Sequence, residues 1–77
     1  MGFEMKPLFT AITEKEDDMY VSLCPELDIA SQGKSSTEAQ SNLKEAVELF
    51  FQFASKSEIN KRLNKEYYIT SLEVEVA

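Results

Sequence analysis

Histidine is absent from this chain of 77 residues, and cysteine occurs once, at Cys24. One thiol and no imidazole exclude a disulfide framework or a zinc site built within one chain. Glycine is as scarce: Gly2 and Gly33 are the only two, and neither sits in a phosphate-cradling loop. No apolar run approaches the ~20 residues of a membrane-spanning helix. The opening MGFEMKPLFT lacks the charged start and apolar stretch of a secretory signal. Lys6 stands where a myristoylation motif needs Ser or Thr. Positive charge is also short. Eight Lys and Arg stand against fourteen Asp and Glu, for a net charge of −6. Duplex binding draws on Lys and Arg at phosphates, so direct nucleic-acid binding is not expected. The expectation is a cytoplasmic protein with no membrane contact and no cofactor, its lone thiol agreeing with a reducing compartment.

What is present is a single small domain, residues 1–77. A chain of this size buries only roughly 60% of its extended surface. Five Phe and three Tyr are many for so thin an interior. Self-association, as a homodimer or homotetramer, or docking on another protein is the expected outlet for the surplus.

Residues 7–14 alternate weakly and are rich in Thr and Phe, which predicts a first strand. A polar turn at 15–18 leads into a second strand over 19–23. Met19, Val21 and Leu23 lie on one face of it, Tyr20 and Ser22 on the other. The loop lacks an Asp-Gly or Asn-Gly pair, so a connection of four or five residues is expected. Pro25 breaks the ladder, and a short third strand over 27–32 ends at Gly33, where a positive φ is expected.

Ser35 followed three residues later by Glu38 predicts a capped helix start. Ala39, Leu43, Ala46, Val47, Phe50 and Ala54 then recur at helical spacing as a buried stripe. One helix on one sheet cannot hide Phe50, Phe51 and Phe53 together, so these three rings are the candidate oligomer interface. Residues 55–66 are polar, with at most a weak helical turn around Ile59 and Leu63. Residues 67–76 alternate cleanly and predict a fourth strand. The expected fold is therefore α+β, in the order β-β-β-α-β. A right-handed crossover places the last strand beside the first, in a four-stranded mixed sheet of order 3-2-1-4 with one helix on one face.

The acidic turn EKEDDMY (14–20), the loop CPELDIASQG (24–33) and the helix opening SSTEAQSNLKEAVEL (35–49) resemble the HicB family of antitoxins in its short, single-domain form. The likeness covers roughly residues 8–53. It implies a partial ribonuclease H-like fold. It also implies a partner, a small basic HicA-type toxin that cleaves mRNA through a histidine and that HicB-like proteins bind and mask. Three features depart from the pattern. Asp17-Asp18 stands where the family usually has Asp-Gly or Gly-Gly, and Leu27-Asp28-Ile29 replaces a Gly-Cys loop ending. The chain also stops at Ala77, where longer members continue into a DNA-binding domain that binds their own operator, so no such domain is expected.

No enzyme is expected. The first strand carries no acid before Glu14, and Asp17, Asp18, Glu26 and Asp28 have no visible reason to converge on metal ions. Cys24 lies between Leu23 and Pro25, next to Glu26, and reads as a structural thiol. Lys56, Lys61, Arg62 and Lys65 are diluted by Glu58 and Glu66 and read as a solvated turn. Asp17, Asp18, Tyr20, Glu26 and Asp28 are the candidate partner-binding residues, an acidic surface with one aromatic ring for a basic toxin. The alternative is a protein-interaction or regulatory module of HicB-like fold with no toxin partner.

Overall fold

In the computed structural model, which describes residues 8–66 and 68–77, a three-stranded antiparallel sheet of order β1-β2-β3 packs against a long helix, and a second, shorter helix follows. The strands are β1 (Ile12–Glu16), β2 (Met19–Cys24) and β3 (Ile29–Gly33). The helices are α1 (Ser36–Phe53) and α2 (Lys56–Leu63). Register pairs Ile12 with Leu23 and Glu16 with Met19 in one hairpin, and Tyr20 with Gly33 and Cys24 with Ile29 in the next.

The fold is α+β, but the four-stranded mixed sheet of order 3-2-1-4 with a single helix is not observed. Residues 68–77 form no strand, and Leu72 and Val76 are 77% and 91% exposed. Alternation specifies the two faces a strand would have. It does not specify a neighbour to bond with, and among the described residues no strand pairs with the segment. The polar stretch before it is a true helix. Ser55 accepts a hydrogen bond from the Glu58 amide at 3.1 Å, and Lys61 and Arg62 lie at the negative end of the α2 dipole. Tyr67 and Pro7, parts of the expected fourth and first strands, lie outside the described residues.

The strand limits also shift. β1 begins at Ile12 rather than near residue 7, and β3 at Ile29 rather than Leu27. The first hairpin closes in two residues, Asp17 and Asp18, because Asp17 takes a left-handed φ of 53°. Aspartate adopts that region more readily than most side chains, so no glycine is needed. Gly33 has no positive φ. It is required for another reason: a Cβ there would lie 2.6 Å from the Ala39 amide nitrogen and 2.9 Å from the Glu38 carbonyl carbon. The start of α1 rests directly on β3 at that point.

The α1 start follows the capping pattern. Ser35 accepts from the Glu38 amide at 3.0 Å, and the Glu38 carboxylate accepts from the Lys34 amide at 3.3 Å. Ala39 and Leu43 are buried and Ala46, Val47 and Phe50 half-buried, so α1 lays the expected stripe on the sheet. The core is small: Cys24, Leu27 and Leu43, flanked by Phe9, Ile29, Val47, Phe50 and Phe51.

Candidate protein-interaction surface

The face of the sheet beneath α1 is made of small and polar residues. Thr13, Ser22 and Ser31 lie across from one another in register. The Thr13 and Ser22 hydroxyls are 2.9 Å apart, and Gln40 of α1 donates to Thr13 at 3.4 Å. Short side chains let the helix approach closely, and the hydroxyls satisfy each other once water is excluded. Cys24 and Ile29 continue this face into the apolar core.

By alternation, the opposite face carries Ile12, Met19, Val21, Leu23 and Ala30, with Glu14, Glu16 and Gln32 among them. Neither helix covers it. Leu23 lies between Ile12 and Ala30, and Val21 between Glu14 and Gln32. The result is a small apolar stripe edged by acids. The first hairpin sits at one end of this face. Glu14, Lys15, Glu16, Asp17 and Asp18 are all exposed there, four acids against one base.

The other end is built differently. Leu27 is fully buried beneath the β2–β3 turn, and Asp28 closes that turn with a φ of 55°. The Glu26 carboxylate turns inward, where it accepts from the Thr10 amide at 2.8 Å, the Thr10 hydroxyl at 2.6 Å and the Cys24 thiol at 3.4 Å. Burial pushes the Glu26 carboxyl up. The bonds from Thr10 and the local backbone outweigh that and hold it below the ordinary glutamate value. Burial, with some help from Glu26, pushes the Cys24 thiol up. Cys24 is thus a packed structural thiol, as its neighbours in sequence imply. Arg62 donates to the Leu27 carbonyl and stacks its guanidinium 5.1 Å from the centre of the Phe50 ring. Asp28 shares a shallow cleft with Lys61, Arg62 and Lys65.

The four acids among the five candidate partner-binding residues therefore fall into two pairs, with Tyr20 apart from both. Asp17 and Asp18 form the acidic hairpin tip. Glu26 and Asp28 stand at the far end of β2, Glu26 held in internal bonds and Asp28 beside basic side chains. Tyr20 is half-buried and, in phase with Ser22 and Cys24, lies on the α1 side of the sheet. Of the three phenylalanines, Phe50 and Phe51 pack edge-on at 5.5 Å, and Phe51 meets Phe9 at 5.7 Å. Phe53 is 76% exposed. Sequence reasoning left one face of the sheet without a helix to cover it but did not say which residues line it, and it missed the Thr10–Glu26 clamp. The stripe had a signal: Gly33 shares a face with Ser22 and Ser31, so the small residues rather than the large ones mark the side a helix can approach. The clamp had none.

No protein family, curated protein or solved structure matches this chain. The surface therefore rests on its own chemistry. Among the described residues, no group of three or more Cys, Asp or Glu is arranged to hold a metal ion, and no helix is long and apolar enough to cross a membrane.

Proposed function

We propose that this protein is a non-enzymatic, antitoxin-like inhibitor that binds and masks a small basic ribonuclease of the HicA type in the cytoplasm. The observation that carries the reading is the pairing of an acidic hairpin tip with an uncovered apolar stripe on the same sheet. Acids at Glu14, Glu16, Asp17 and Asp18 attract a cationic RNA-binding surface over about a Debye length. The stripe of Ile12, Val21 and Leu23 then supplies contact area that excludes water. Inhibition follows from occlusion: a ribonuclease docked through its cationic surface has no room there for RNA.

Two variants separate the parts of this mechanism. Reversing the tip with Asp17→Lys and Asp18→Lys should slow association with a HicA-type ribonuclease about tenfold at low salt, with the difference fading near 0.5 M salt. Ile12→Asp, at a position already 47% exposed, should leave the fold intact and speed dissociation. Stopped-flow and surface-capture kinetics read both. An unchanged association rate in the charge-reversed protein removes steering, and failure of the wild type to inhibit any such ribonuclease overturns the proposal.

A further inference from the structure

The segment 68–76 is a strand by pattern that pairs with no strand among the described residues. Tyr68, Thr70, Leu72, Val74 and Val76 alternate with Ile69, Ser71, Glu73 and Glu75. Its large apolar side chains are all exposed. The chain's radius of gyration is 15.2 Å, against about 11–12 Å for a closed globule of this length. An exposed alternating segment with this β-propensity is a template for pairing with another chain.

Among the described residues, the sheet offers one matching open edge. The outer edge of β3 is partly covered, because Asn42 of α1 donates to the Gln32 carbonyl at 2.8 Å. Among the described residues, no side chain bonds to the outer edge of β1 in that way. α1 leans toward β3, and beside β1 it leaves an open, mainly apolar groove of about 590 Å³ between the segment 8–11 and Cys24, Leu43, Val47 and Phe51. The groove lies on the α1 side of the sheet, where an added strand would turn one of its two faces.

We infer that two copies of this chain exchange their C-terminal segments. Residues 68–76 of each add as a strand along the β1 edge of the other, with Leu72, Val74 and Val76 in the groove and Glu73 and Glu75 toward the uncovered face. Nine residues span about 30 Å in extended form, enough to run along the five residues of β1 and on past the segment 8–11 that walls the groove. A ribbon of that length buries on the order of 400 Å² of itself and as much of its groove, and two such exchanges reach the roughly 1,600 Å² of a stable interface. The exchange is isologous, so it closes as a dimer and leaves no further β1 edge open. It requires no ribonuclease and stands apart from the proposed inhibition.

Light scattering on the full chain at about 100 µM should return twice the 8.8 kDa of one copy. Leu72→Pro removes a ladder donor and a groove side chain. It should weaken the dimer about a hundredfold or more while the helical circular dichroism stays. Should that variant lose its helical signal, hydrogen exchange on the wild type decides. Amides 68–76 should be protected in the dimer and lose protection on dilution to the monomer. A mixture of ¹⁵N-labelled and ¹³C-labelled copies should show contacts between residues 68–76 and 8–16 across labels. A monomeric wild type, a dimer indifferent to Leu72→Pro, tail amides exchanging at unfolded rates at every concentration, or contacts within one label only would each overturn the exchange.

Discussion

Single side chains hold the two turns of this sheet, and the energetics at each can be checked. Asp17 sits in the left-handed region at a cost of about 1 kcal/mol for a residue with a Cβ. Asp17→Gly should raise stability by about 0.5–1 kcal/mol, which for a domain this small is about 4 °C in thermal midpoint. Gly33→Ala drives a methyl into the backbone of α1 and should cost about 1–3 kcal/mol in chemical denaturation. Glu26→Ala leaves the Thr10 amide and hydroxyl without their acceptor and should cost a similar 1–3 kcal/mol. The same carboxylate makes stability depend on pH. Its folded value lies below the ordinary 4.5, so its contribution is complete above pH 4.5 and is lost as pH falls through the depressed folded value. Glu26→Gln should flatten that acid limb in a pH series of denaturation midpoints. Cys24 has the opposite sign. Its raised value favours the folded, protonated thiol, so its contribution is complete below the ordinary 9.0 and fades as pH rises above it.

The helices show how capping outranks apolar content in placing an element. The start of α1 is legible because Ser35 and Glu38 precede a strong stripe. The start of α2 uses the same Ser-x-x-Glu spacing at Ser55 and Glu58, but the residues after it are polar, and periodicity alone predicts little there. What stabilises α2 is distant in sequence: the Arg62 bond to the Leu27 carbonyl and its stacking on Phe50. Ser55→Ala should therefore fray α2 by about 1 kcal/mol without melting α1, seen as faster amide exchange confined to residues 56–63. Arg62→Ala should loosen both α2 and the β2–β3 turn, because one guanidinium serves both. The phenylalanines divide along the same line. Phe50 and Phe51 are taken up by Arg62 and Phe9, contacts that join parts of the chain far apart in sequence, and Phe53 alone stays open.

At the scale of the molecule, the sheet is unequal on its two faces and its two edges. One face is sealed by α1 through small side chains, and the other is left with an apolar stripe and an acidic tip. One edge is tied to α1 by Asn42, and the other opens beside a groove. The inhibitor reading uses the uncovered face and the exchange uses the open edge, so a single molecule can do both. Charge reversal at the tip should then alter ribonuclease association and leave the dimer mass unchanged, while Leu72→Pro acts on the mass first.

Local chemistry read along the chain was enough for three strands, the α1 cap, its buried stripe, the structural thiol and the acidic tip. These depend on neighbours one to four residues apart, and their signals lie in adjacent letters. The two-residue turn, the buried role of Gly33, the inward carboxylate of Glu26, the anchoring of α2 and the missing fourth strand do not. Each turns on which distant group arrives within bonding distance: Ala39 against Gly33, Thr10 against Glu26, Leu27 against Arg62, and for residues 68–77 no strand among the described residues. Side-chain alternation tells a strand which way to face, but pairing is a property of two strands, and the second has to be present.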